Sequence, residues 1–331
     1  MECELILAAC QEQEIRRAIG VPGNGDLTLE GVAALEEEQD RFLYFVTREM
    51  SADTRRSLAS RHGCLVIVPA GSAPAEGLGG CRFIESDDPR AAIARVLAFI
   101  RSEHRQRPWI TAARISPDAR VSPLAMIDGD VEIGDGSVVD PFCTVGPDVS
   151  IGRNVRIHAG ARLYPRTRIG DGSVIGANSV IGHEGYGFVR DAAGNKWRIP
   201  HLGGVVIGSH VDIGALAVVQ SGAITATTVA DYAKIDDNVE VGHGVRVGRN
   251  ASVTGGVVIG GSAVIEDEAW IGINSSIRDG RRVGRGALIG MDTSVQQDMD
   301  DGAVARAPRP AVTRRQEPDP RGIGFAGGKR R

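Results

Sequence analysis

The chain has 331 residues, with 44 glycines, only 14 aromatics (7 Phe, 4 Tyr, 3 Trp) and 42% hydrophobic residues. Glycine is at roughly twice its usual share, but it does not fall at every third position, which excludes collagen. Val, Ile and Leu run through the middle of the chain, which excludes wholesale disorder. With 38 Lys+Arg against 42 Asp+Glu, the formal net charge of -4 gives no reason to expect a nucleic-acid partner. Cys3, Cys10, Cys64, Cys81 and Cys143 are odd in number and form no C-x-x-C pair, so neither a disulfide framework nor a thiolate metal site is indicated, and a reducing cytoplasm is expected. The run Leu5-Ile6-Leu7-Ala8-Ala9-Cys10 is like a lipoprotein cleavage box. No Lys or Arg precedes it, however, and it is too short for a signal segment. No stretch approaches the roughly 20 apolar residues that cross a bilayer, so no integral membrane segment is expected.

Residues 1–105 read as a small α/β domain. A short helix is predicted over 11–19, strands over 27–32 and 42–46, a helix over 52–61 and a buried strand over 65–68. A longer amphipathic helix follows over 89–104, with Ala91, Ile93, Val96, Leu97 and Ile100 on its apolar side. The polar segment Arg105-Gln106-Arg107-Pro108 marks a boundary, giving a linker over 106–112. The Arg-, Pro- and Gly-rich tail over 313–331 is expected to be disordered.

From Ile115 a six-residue period takes over. Val121, Ile127, Ile133, Val139, Val145, Ile151, Ile157, Leu163, Ile169, Ile175 and Ile181 follow at that step. The step fails over 183–206, resumes at Ile207, Ile213 and Val219, slips by four residues, and then runs from Val229 to Val295 without a miss. An α-helix repeats its apolar face every 3.6 residues and cannot carry this pattern. A β-solenoid can, because each hexapeptide then supplies one short parallel strand and one corner, and three make a triangular coil. The 27 positions predict about nine coils over 113–312, a prism on the order of 43 Å long at about 4.8 Å per coil. Glycine at the corners would allow positive φ and account for much of its excess.

Of seven histidines, His243 has the most suggestive surroundings. It lies two positions past an inward Val, at a corner between Gly242 and Gly244, where a ligand can approach closely. Asp236 lies seven residues earlier, and a base oriented by a carboxylate is the arrangement general-base catalysis uses. Gly261 falls one coil after His243, where its N–H could stabilise an oxyanion. No set of histidines recurs at matched coil heights, so no metal site is expected. The insert over 183–206 gathers Tyr186, Phe188 and Trp197 in a chain poor in aromatics, which marks it as a binding segment. Its Gly-x-Gly lacks the strand-helix setting of a dinucleotide site.

Nearly the whole chain resembles the UDP-3-O-acylglucosamine N-acyltransferases of lipid A synthesis. The resemblance rests on the hexapeptide array, on Ile181-Gly182-x-x-Gly185-Tyr186-Gly187-Phe188 with Trp197 and Ile199-Pro200 after it, on Ile235-Asp236 followed by His243, and on Gly31-Val32-Ala33 and Tyr44-Phe45-Val46 near the start. It implies a mainly β fold, a left-handed parallel β-helix behind a small α/β nucleotide-binding domain, assembled as a cytoplasmic homotrimer. It also implies transfer of a 3-hydroxyacyl group from a thioester on the phosphopantetheine of acyl carrier protein to the amine of a nucleotide-linked amino sugar, with no other cofactor. His243 would be the general base, Asp236 its partner carboxylate and Gly261 the oxyanion amide, while Tyr44, Phe45, Tyr186, Phe188 and Trp197 would contact substrate.

The chain departs from that pattern in several places. The family's second active-site histidine corresponds to Gly280. Its charged Asp-Arg-Gly-Ala-Leu-Asp-Asp segment reads here Gln220-Ser221-Gly222-Ala223-Ile224-Thr225-Ala226. The Asn and Tyr that follow the uracil-stacking aromatic correspond to Thr47 and Met50, and the C-terminal helix is replaced by the Arg/Gly tail. Two other readings stand beside the first: an acyltransferase of another amino-sugar or natural-product pathway that uses a CoA thioester, and a non-catalytic solenoid scaffold.

Overall fold

The computed structural model describes residues 10–23, 25–104, 113–191 and 193–308. The segment resembling a lipoprotein box, apart from Cys10, and the expected linker and tail lie outside the described residues. Within them no helix is long and apolar enough to cross a membrane.

The first part alternates strands and helices: β1 (Cys10–Gln11), α1 (Glu12–Ile19), β2 (Thr28–Leu29), β3 (Gly31–Val32), β4 (Phe42–Phe45), α2 (Ala52–Ala59), β5 (His62–Pro69), β6 (Gly80–Ser86) and α3 (Pro89–His104). Strands β3 to β6 form a parallel sheet in that order. Successive side chains of a strand face opposite ways, so Leu43, Leu65, Ile67 and Ile84 join the apolar sides of α1 and α3, while Tyr44, Cys64, Val66 and Val68 pack with Leu58 of α2. The predicted strand over 27–32 is two strands, since Thr28–Leu29 pairs antiparallel with β1 and Gly31–Val32 enters the parallel sheet. Strand β6 went unpredicted. It is an edge strand with Arg82 and Glu85 turned to solvent, so its sequence carries little apolar signal.

The hexapeptide region forms three parallel sheets of 9, 10 and 9 strands, one per face of a prism, which bears out the parallel β-helix and its approximate coil number. The first face starts with Arg114–Ile115, the second with Arg120–Val121 and the third with Met126–Ile127. Equivalent residues stack in register, as Ile133 does on Ile151 and Ile235 on Val253. From Ile133 to Val295 the inward aliphatics are buried in one continuous core. Full burial of one such side chain is worth about 1.5–3 kcal/mol, and the repetition of that gain is what holds two-residue strands together. Ile115 remains 42% exposed in the first coil.

Corner glycines such as Gly136, Gly172 and Gly256 take positive φ as expected, but a second set acts differently. The glycine directly after an inward aliphatic is needed for space: a Cβ on Gly134 would come 2.7 Å from the Gly152 carbonyl oxygen of the next coil. Positive φ falls two residues later and is often supplied by Asn or Asp, as at Asn154 (φ 54), Asn238 (φ 56) and Asn274 (φ 57). These side chains tolerate the left-handed region better than other non-glycine residues.

The insert leaves the prism at the corner between the third and first faces. Its hairpin pairs Phe188–Arg190 with Lys196–Arg198, and Val189, Ile199 and Leu202 join the core formed by α1 and α3. Arg101 of α3 also pairs with Glu184 at 3.0 Å. The four-residue slip accommodates the returning chain: Gly203 N–H donates to Gly222 O at 2.8 Å and Leu202 N–H to Ala223 O at 3.0 Å.

Candidate active site

Four successive levels of that same corner build the site. The insert occupies the first, Gln220–Ala226 the second, His243 the third and Gly261 the fourth. The backbone of His243 is fixed from both sides. Its N–H donates to Gln220 Oε1 at 3.2 Å, the Gly244 N–H donates to Thr227 Oγ1 at 2.8 Å, and the His243 carbonyl accepts from Ser262 N–H at 2.8 Å. Gln220 is itself oriented by donating to Glu240 Oε1 at 2.9 Å. One of the residues that departs from the family segment therefore anchors the proposed base.

The imidazole rests against two glycines. A Cβ on Gly261 would lie 2.6 Å from His243 Nε2, and a Cβ on Gly185 would lie 2.7 Å from His243 Cβ. Arg198 holds Gly185 by donating to its carbonyl at 3.3 Å. Burial lowers the His243 pKa, and the Arg90 guanidinium adds to this while the Asp279 carboxylate opposes it. The ring is thereby biased toward the neutral form that can accept a proton. Turn amides equivalent to that of Gly261 are taken by aspartates one coil on, Arg249 N–H by Asp267 and Arg285 N–H by Asp301. Among the hydrogen bonds of the described residues none uses the Gly261 N–H.

Within the chain, Asp236 lies at a different corner from His243. It stands at the corner between the second and third faces, where its carboxylate accepts from Asp237 N–H at 2.8 Å and Gly255 N–H at 3.0 Å. A spacing of seven residues carries the chain past one whole strand to the next corner. The charges that act on the ring come instead from Arg90 and Asp279, and neither sequence proximity nor periodicity points to Arg90. His201 was also missed as a neighbour. It is 4% exposed and stands edge-on to His243, with ring centroids 4.9 Å apart. The only hint in the sequence was its place directly after Ile199-Pro200.

Tyr44 corrects the expectation of a base-stacking aromatic. It is wholly buried, the Arg61 guanidinium lies 4.2 Å above its ring, and its hydroxyl donates to the Gln39 carbonyl at 2.7 Å. The even position in β4 turns it into the sheet's own core, and Phe45 packs half-buried on the opposite side. Tyr186 and Trp197 are exposed on the hairpin. Phe188 meets Tyr186 edge-on at 4.9 Å, and Trp197 Nε1 donates to Asp191 Oδ2 at 2.9 Å.

A cleft of about 1140 Å³ separates the loop before β4 from the first face of the prism. Gly244 and Ser262 line it beside the His243 corner, and none of the five aromatics does. Its rim is mainly acidic, lined by Glu30, Glu36, Glu37, Glu38 and Asp40 together with Arg41 and Arg246. Burial raises the pKa of Glu37. No group of three or more His, Cys, Asp or Glu among the described residues could hold a metal ion.

A hexapeptide prism with a half-buried, amide-flanked histidine at one corner defines an acyltransferase of the hexapeptide-repeat class. Residues 148–183 match the bacterial transferase hexapeptide (six repeats) family and residues 262–297 the hexapeptide repeat of succinyl-transferase. The UDP-3-O-acylglucosamine N-acyltransferase of Delftia acidovorans is 37% identical over 253 residues, which are 76% of this chain and 71% of that protein. That of Coxiella burnetii is 30% identical over 254 residues, 73% and 72% of the two chains. A further match, to UDP-3-O-acylglucosamine N-acyltransferase 2 of Legionella pneumophila, is 43% identical but spans 68 residues, 20% of each chain. Among solved structures, a UDP-N-acetylglucosamine acyltransferase from Campylobacter jejuni aligns with TM-score 0.48 and 26% identity over 59% of this chain and 72% of its own. The chain belongs to the UDP-3-O-acylglucosamine N-acyltransferase family.

Proposed function

We propose that this protein transfers an acyl group from a thioester to the amine of a nucleotide-linked amino sugar, as in lipid A synthesis, with His243 as general base. The observation that carries the reading is the His243 ring, fixed against Gly261 beside the cleft and biased to its neutral form by burial. An ammonium has no lone pair with which to attack, so a base near neutrality must first remove its proton. The nitrogen then adds to the thioester carbonyl, and the oxyanion that forms can accept the Gly261 N–H. Collapse breaks the C–S bond, the proton held on His243 passes to the departing thiolate, and the second proton on the added nitrogen is lost to solvent as the neutral amide forms. Phosphopantetheine of acyl carrier protein is the donor in this reading, no other cofactor takes part, and a cytoplasmic trimer is the working assembly.

The test is thioester consumption with an amino-sugar nucleotide acceptor. His243→Ala is expected to lower kcat by roughly 10²–10⁴, and activity within threefold of the parent overturns the assignment.

The acidic rim favours a second reading of the acceptor. Glu36, Glu37, Glu38 and Asp40 would repel a diphosphate, and Tyr44 is too deeply buried to stack on a base. An amino sugar from another pathway that carries no nucleotide meets neither obstacle. Parallel assays with nucleotide and nucleotide-free amino sugars, each with carrier-protein and CoA thioesters, separate the two.

A further inference from the structure

We propose that His201 is a positioning residue for acyl transfer, holding the His243 ring against Gly261 from inside the fold and keeping water from its inner edge. The inference rests on His243 being the base. His201 closes the insert and is buried, with its backbone tied to the next level of the corner: its carbonyl accepts from Ser221 Oγ at 3.3 Å. Its Nδ1 lies 2.9 Å from the Ile199 carbonyl. A carbonyl can only accept, so Nδ1 carries the hydrogen and the ring orientation is set. The ring has no slack toward Gly187 either, where a Cβ would come 3.0 Å from His201 Cε1. From this fixed position the ring meets His243 at an interplanar angle of 66°.

The two rings do different work. Burial, aided by the neighbouring His243, lowers His201 to about 4, so it stays neutral where transfer would run. Glu184 and Arg198 are the other charges facing it, and they act in opposite directions. Around His243 the charges are Arg90 and Asp279, with Glu240 reaching it through Gln220. A neutral, immobile imidazole beside the base contributes shape and dryness and no charge of its own. Loss of that edge would admit water and let the His243 pKa rise toward its ordinary value.

The experiment compares His201→Ala and His201→Gln with the parent and with His243→Ala in the thioester assay across pH, after thermal melting confirms that each is folded. Removing the ring is expected to lower kcat by roughly 10-fold or more, leave KM for the amine within twofold, and move the acid limb of kcat/KM to higher pH. His201→Gln keeps a donor for the Ile199 carbonyl and should secure the insert if the alanine variant does not fold; it lacks the ring edge, so the same shift of the limb is expected. A folded variant with kcat within threefold and an unmoved limb overturns the proposal, as does a loss confined to KM. If His243→Ala retains activity, the general-base reading itself has failed. An inactive His243→Ala with unaffected His201 variants refutes only the role of His201.

Discussion

Replacing Gly261 with alanine tests the site geometry at a single atom. The added Cβ would lie 2.6 Å from His243 Nε2, 2.7 Å from Cε1 and 3.0 Å from Cδ2, against an ordinary contact of at least 3.4 Å. The ring must therefore retreat by about 0.8 Å, the difference between 3.4 and 2.6 Å. All three contacts are to side-chain atoms, and Gly261 is absent from the positive-φ glycines, so the backbone can accept alanine and the strain falls on the ring. Misplacement on the order of 1 Å can cost about 10²-fold in rate, and a loss of roughly 10- to 100-fold in kcat is expected. The alanine keeps the amide N–H, so the loss would reflect where the base sits and not a missing oxyanion donor. Steady-state kinetics with thermal melting provides the measurement. Retention of kcat within threefold, with the fold intact, would refute the placement of the ring over Gly261.

Gly176→Ala is the converse case: its Cβ would lie 2.3 Å from the Gly214 backbone carbon, so the coils themselves must separate. A stability loss of roughly 1–3 kcal/mol is expected from such overpacking, read as a lower denaturation midpoint. Stability should also depend on pH through His201, whose pKa is about 4 in the fold against about 6.5 in an unfolded chain. The unfolded state takes up that proton first, so stability declines as pH falls from about 6.5 toward 4 and levels off below. The interval corresponds to roughly 3 kcal/mol, and melting of His201→Gln at pH 7, 5 and 4 should show a shallower decline than the parent.

Much of this architecture was readable because a solenoid is nearly one-dimensional. Ile235 stacks on Val253 for the same reason that Ile133 stacks on Ile151: each coil repeats the last, so periodicity alone states the contact. Gly261 lies against His243 by that same rule. That rule also sets Asp236 one face away from His243 within the chain, at a different corner. It says nothing about the turn of β4 that buries Tyr44, because alternation identifies two sides of a strand without saying which side is covered. The insert and α3 follow no repeat at all. His201 reaches His243, Arg198 holds Gly185, and Arg90 acts on the base only because the insert folds back onto the prism and shares a core with α3. Sequence alone determined the prism, its inward residues and the level of the corner histidine, since those contacts recur at fixed spacing. The walls and charge of the site were decided by tertiary structure, since they come from segments that packing alone brings together.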